Sequence, residues 1–172
     1  EVYLDALRVC RLPAPSTAGD FLRRFAEDDL LQFQEAINTA RVKIWKTQPK
    51  AFFKQAVIDM DGTVFETDAQ CTQGIDYCGY KHLWGYGPLL LSLANTCEPL
   101  YVVNRPASVA SHDGVAIWLN RALKWVQPHF DTIWLRGDAD FSLTAHFDGW
   151  DRQGVQFIFG YDAFENLVQK AD

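Results

Sequence analysis

Asp59 and Asp61 stand two residues apart at the end of the apolar run 56–58, with Gly62 and Thr63 directly behind them. A run of that kind reads as a strand entering a core. Residues two apart on a strand face the same way, which puts both carboxylates on one face and Met60 on the other. Carboxylates at a buried strand end are costly unless a metal, a cation or solvent meets their charge. The chemistry this favours is coordination of a hard divalent cation by acidic oxygens; the competing reading is a turn, for which Asp-Gly is a common dipeptide and Thr63 a cap. The pattern recurs where the apolar run 132–135 leads through Arg136 and Gly137 into Asp138 and Asp140. If the two runs are neighbouring strands, Asp61 and Asp138 meet at one edge and share one or two hard cations, as two-metal phosphoryl transfer requires. Alone, Asp138 reads equally as a Gly-Asp turn or a helix N-cap.

Other chemistry is less well marked. Arg105, before Pro106, is placed to contact a phosphate or to balance the acids, with a surface salt bridge as the alternative. His82, His112, His129 and His146 have no metal-ligand spacing and read as ordinary surface or partly buried side chains. No serine lies in a Gly-x-Ser-x-Gly elbow, so a Ser-His-Asp triad is not indicated. The segment 79–88, rich in aromatics and glycine, reads as aromatic packing around a turn, with stacking on nucleic-acid bases as the second reading.

The elements that must position these residues follow from composition and periodicity. A chain of 172 residues with 48% hydrophobic and 14% aromatic content buries one good core and has room for a small helical appendage. No apolar run approaches the roughly 20 residues that span a bilayer, and the first residues lack the basic-then-apolar pattern of a secretory signal. The expectation is a cytoplasmic protein, with Glu1 at the start suggesting processing or a fragment. Cys10, Cys71, Cys78 and Cys97 have no Cys-x-x-Cys spacing, which suggests free, mostly buried thiols in a reducing compartment. A net charge of -6 argues against nucleic-acid binding by sheer charge while leaving local contacts open.

Residues 1–50 read as a helical segment. Ser16 or Thr17 is placed to cap a helix through Phe21, Leu22 and Phe25, and a second helix from Asp28 to about Trp45 carries Leu30, Leu31, Phe33, Ile37, Ala40, Val42 and Ile44 at mainly helical spacing. The basic cluster from Arg41 to Lys54 reads as a solvated helix end, with a phosphate backbone as the alternative partner. From residue 51 the pattern changes to short apolar runs. Strands are expected at 55–63, 88–94, 100–104, 132–136 and 155–160, with helices over 111–126 and 143–152. The order β-β-β-α-β-α-β implies a mixed α/β sheet, antiparallel first and parallel afterwards.

Two families share motifs with this chain. Residues 57–67, Val-Ile-Asp-Met-Asp-Gly-Thr-Val-Phe-Glu-Thr, resemble the first motif of haloacid-dehalogenase-type phosphatases, which would make Asp59 a nucleophile in a magnesium phosphatase. That likeness covers about a dozen residues, comes after a helical segment and lacks the family's Lys and late acidic pair at the right spacing. The second likeness runs from Ile58 to Leu167 and is to the catalytic domain of DDE transposases of bacterial insertion sequences, in the group opening with Asp-x-Asp-x-Thr. Its blocks are Ile58 to Thr63, the Gly and Tyr loop from Gln73 to Leu89, Asn104-Arg105-Pro106, the strand Ile133 to Phe141 similar to "WLRADSGF", and Gly154 to Gly160 similar to "GVxYVFG".

This second resemblance implies an RNase H-like domain over 51–172, Asp61 and Asp138 as catalytic, metal-binding carboxylates, Asp59 as a supporting metal acid and Arg105 as a substrate-binding residue. It implies two Mg2+ or Mn2+ ions, DNA as partner through transposon ends and target, and a homodimer for the full-length protein. The family's third acid is a Glu well beyond the strand that 155–160 resembles, and Glu165 lies too close to that strand to match it. Ala139-Asp140 also replaces the usual Ser-Gly. The expectation is therefore a catalytic-domain fragment without a complete triad, with an inactive RNase H-like binding module as the non-enzymatic alternative.

Overall fold

Eight strands lie among residues 10–69 and 71–171, which the computed structural model describes. In chain order they are β1 (Gln55–Gly62), β2 (Phe65–Glu66), β3 (Asp76–Cys78), β4 (Leu83–Tyr86), β5 (Leu89–Leu93), β6 (Glu98–Val103), β7 (Thr132–Gly137) and β8 (Val155–Phe159). The helices are α1 (Pro15–Leu22), α2 (Glu27–Trp45), α3 (Val115–Val126), α4 (Thr144–Arg152) and α5 (Glu165–Ala171). The chain divides into two compact units, Glu1–Arg41 and Val42–Asp172.

In the larger unit five strands make one sheet in the order β6-β5-β1-β7-β8. β1 is central, antiparallel to β5 and parallel to β7, while β6 is antiparallel to β5 and β8 parallel to β7. Asn95 extends the β1 edge: its side chain accepts from the Val57 N–H at 2.8 Å and donates to the Gln55 carbonyl at 3.1 Å. Burial alternates along β1, with Ala56, Ile58 and Met60 in the core and Asp59 and Asp61 on the other face.

Both larger helices of this unit cover the face that Ile58 and Met60 bury. α3 carries Val115, Leu119, Ala122, Leu123 and Val126 at helical spacing and packs on β5 and β6, where Tyr101 lies 5.4 Å from the Trp118 ring and accepts a hydrogen bond from Trp125 Nε1 at 3.1 Å. α4 closes on β8 through Phe147, whose ring stacks on Phe157 at 4.4 Å. Leu91 stands opposite both Met60 and Tyr101, and Phe157 stands opposite Leu135, so the two helices share one face. The other face, bearing Asp59, Asp61, Leu90, Ser92 and Arg136, lines a groove. Three consecutive antiparallel strands joined to two parallel ones, with β1 in the middle, make an RNase H-like mixed sheet, as the transposase resemblance implies.

Several local expectations are corrected. The segment 79–88 holds a turn at 79–82 with Trp84 packed on Tyr77, as expected, but it also supplies β4 to a second sheet of order β2-β4-β3, in which β4 pairs antiparallel with both neighbours. Gly85 is required there, because a Cβ at that position would stand 2.0 Å from the Phe65 carbonyl oxygen. α1 starts at Pro15 with Ala14 as N-cap and no side-chain cap, so neither Ser16 nor Thr17 has the capping role; proline at the first turn loses no bond by lacking its N–H. In α2 the apolar residues Leu30, Phe33, Ile37 and Ile44 are 41–65% exposed while Asn38 and Arg41 are buried, and Arg41 donates to Asn38. Arg41 is thus not part of a solvated helix end. All four cysteines are free, but only Cys78 is buried.

Candidate active site

The parallel register of β1 and β7 sets Asp59 opposite Arg136. Arg136 Nε donates to Asp59 Oδ1 and its Nη2 donates to Asp59 Oδ2, each at 2.6 Å. The pair lies on the open face, with the arginine side chain 58% exposed, and the hydrogen bonds it donates to Asp59, with that carboxylate's charge, push the arginine still further toward its charged form. Such bidentate pairing fixes a guanidinium plane as well as a distance. Two residues beyond this pair, on the two strands in turn, stand Asp61 and Asp138.

Asp61 is exposed and receives one hydrogen bond, from Thr63 Oγ1 at 3.4 Å. Asp138 lies just past β7, where its Oδ1 accepts from the Asp140 N–H at 3.0 Å and caps a 3-10 turn, Ala139–Phe141. Phe141, fully buried, anchors that turn. A side chain at residue 137 would meet it, since a Cβ there would stand 2.9 Å from the Phe141 Cβ. The Gly-Asp pair that the sequence offers as a turn is therefore a strand end locked by a buried aromatic three residues on.

Two hollows flank the β1 end. A groove of about 730 Å³ holds Asp59, Asp61, Thr63 and Arg136 beside Pro88, Leu90 and Val102. A second, of about 640 Å³, is lined by Asp138 and Asp140 together with Gly62, Lys81, Ser108 and His112. The structure thus gathers Asp59, Asp61 and Arg136 in one hollow and gives Asp138 to the other, with backbone residues 61–64 alternating between them. The available donors are hard carboxylate oxygens, the type that suits Mg2+ or Mn2+. Asp61 and Asp138 have oxygens left over from their single hydrogen bonds, whereas both oxygens of Asp59 are engaged by Arg136. Among the described residues no three or more His, Cys, Asp or Glu side chains come together as a metal site, and Glu165 lies in α5, exposed.

Arg105, expected at a phosphate, is occupied by the backbone. Its Nε donates to the Gly87 carbonyl at 3.2 Å, its Nη1 to the carbonyls of Ala110, Ser111 and Asp113 at 3.4, 3.3 and 2.8 Å, and its Nη2 to Ser111 at 3.3 Å. Burial lowers its pKa, partly opposed by the charge of Asp113. The loop it braces also meets the second sheet, where Ser108 Oγ donates to Asp76 Oδ2 at 2.6 Å. The histidines sit apart: His82 contacts the Tyr77 hydroxyl, His146 stacks on Trp150, His129 meets the edge of Trp45 and His112 lies near Asp113.

The residue that sequence reading missed is Arg136. A signal was present, since Asp59-x-Asp61 and Arg136-x-Asp138 have the same spacing on two apolar runs, so that parallel pairing in register must set Arg136 beside Asp59. The family model described as Transposase DDE domain group 1 matches residues 9–172. No curated protein matches the chain.

Proposed function

Because the chain belongs to the transposase DDE domain family, we propose that it serves DNA transposition through metal-dependent cleavage and transfer of DNA strands, with Asp61 and Asp138 as the carboxylates at the reacting phosphate. The observation that carries this reading is that the two acids end neighbouring parallel strands, β1 and β7, of one RNase H-like sheet. The division of labour is a helical segment over 1–50 and a catalytic domain over 51–172. In this reading the protein works on DNA in the cytoplasm, as a homodimer.

Asp61 and Asp138 would hold Mg2+ or Mn2+, two ions in the complete site, through oxygens that their own hydrogen bonds leave open. Bound there, such ions supply charge stabilisation to the attacking and leaving oxygens of an in-line displacement. The chain's own contribution is placement. Thr63 orients Asp61, the buried Phe141 and the Asp140 N–H fix Asp138, and Arg105 holds the loop behind the second hollow. Arg105 thereby acts on substrate through that loop, most of its donors being directed at backbone carbonyls.

The test is a Mn2+ titration of the whole chain followed by thermal unfolding. Binding to the native state raises the melting temperature in proportion to the logarithm of free ion above Kd. The rise should appear in the wild type and vanish in Asp61→Asn and in Asp138→Asn. An equal rise in both variants would overturn the assignment of the acids.

A further inference from the structure

Arg136 is held by Asp59 along one edge of its guanidinium, Nε with Nη2, and Nη1 has no partner among the described residues. An arginine fork has five N–H donors, of which this pairing takes two. The remaining three, both on Nη1 and one on Nη2, form the end of the group. Arg136 lines the same groove as Asp61 and Thr63, on the sheet face opposite the one that Val115–Val126 and Thr144–Arg152 pack against. Asp61 is two residues further along the strand from the partner of Arg136, a rise of roughly 7 Å.

Two features separate this pair from an ordinary surface salt bridge. Its side chains belong to neighbouring strands in direct register, so neither backbone is free to drift. The arginine also remains 58% exposed although both of its 2.6 Å bonds are made. Asp59 is itself only half-buried, its side chain 30% exposed, so the arginine is not there to neutralise a buried charge. A guanidinium clamped along its side and open at its end has a planar, two-pronged donor set, which matches two oxygens of a phosphate.

Resting on the transposase reading above, we propose that Arg136 is a phosphate-binding residue of the DNA groove and that Asp59 is its positioning residue, aiming the fork instead of ligating metal. The ligand is a backbone phosphodiester of DNA lying along the groove of Asp61 and Thr63. The pairing then has a division of tasks: the acids at 61 and 138 face the reacting phosphate, while the Asp59–Arg136 pair grips a phosphate one step back along the strand.

The experiment uses the whole chain and a short DNA duplex, with binding followed by fluorescence anisotropy across a range of salt concentrations. One phosphate contact contributes a slope of about -0.9 in log K against log salt. In R136Q the slope should become shallower by about one and affinity should fall about tenfold at low salt. In R136K, which keeps the charge and loses the fork, and in D59N, which keeps the arginine and loses its aim, affinity should fall several-fold with the slope retained. Mn2+ titration of the same proteins should give wild-type binding in D59N and R136Q.

The proposal is overturned if the wild type shows no duplex binding, if R136Q keeps the wild-type slope, if R136K binds as well as the wild type, or if D59N loses Mn2+. Failure of the transposase-site reading looks different, because Mn2+ binding would then survive in Asp61→Asn and Asp138→Asn whatever the duplex data say. R136K serves as the folded control should the neutral variant at 136 lose stability.

Discussion

Ser108 Oγ lies 2.6 Å from Asp76 Oδ2, and this bond joins the loop after β6 to β3 of the second sheet. Asp76 also accepts from the Tyr77 N–H at 2.8 Å. The two bonds, the serine's first, hold the Asp76 carboxyl below the ordinary aspartate value. A carboxyl whose folded pKa is depressed adds stability above its unfolded value, about 3.9, and that contribution fades as pH falls through the lower folded value. The melting temperature of Ser108→Ala should therefore sit below wild type at neutral pH, and the gap should narrow as pH drops below about 4. Melting curves across pH check this; a gap that is constant down to acid pH contradicts it.

Asparagine and alanine at residue 138 should behave differently. Asn keeps an oxygen for the Asp140 N–H and caps as well as Asp does, whereas alanine gives up the cap at a cost of about 1 kcal/mol. Asp138→Asn should unfold like wild type without metal, and Asp138→Ala should be measurably weaker in urea. Both should fail to gain stability from Mn2+. Equal urea midpoints for the two variants would remove the capping role.

Leu135→Ala and Phe33→Ser remove comparable apolar surface from very different places. Leu135 is fully buried opposite Ile58, so its truncation should cost about 2–5 kcal/mol. Phe33 is 65% exposed on α2, and its replacement should stay within about 0.5 kcal/mol. Chemical denaturation of the two variants, with the slope on denaturant checked for each, decides the matter.

The contrast marks where the sequence was readable. Strands β1, β5, β6, β7 and β8 fall within about two residues of the apolar runs that announce them, since a continuous run bounded by turn residues has few other ways to be buried. The face of α2 was different: spacing gives a stripe, but whether Leu30, Phe33 and Ile37 or Asn38 and Arg41 are covered depends on what packs there, which periodicity does not encode. The small sheet stayed hidden because β2, β3 and β4 run only two, three and four residues, too short to set up an alternation. At the site, the acids were visible as breaks in apolar runs. Their neighbours were not, because the Asp59–Arg136 pair depends on register between strands and the Arg105 network on the path of a loop.

Gly85→Ala should open the small sheet selectively. The added methyl meets the Phe65 carbonyl, a backbone atom that cannot swing aside, so β2 must leave β4. Hydrogen exchange should then quicken at Thr67, whose N–H is bonded to the Trp84 carbonyl, and stay slow at Leu93 and Ile58 in the main sheet. Uniform acceleration across both sheets would show that the two do not open separately.

The bond between Asp59 and Arg136 spans 77 residues of sequence. β1 can meet β5 and β6 as a meander, but it must wait for α3 before β7 arrives, and long-range parallel pairing is among the slower steps of folding. A chain emerging from the ribosome therefore has Asp61 long before it has Asp138 beside it. The Asp59–Arg136 pair and the placing of Asp138 beside the end of β1 wait on the same β1–β7 pairing, and a slip of one residue in that register would undo both.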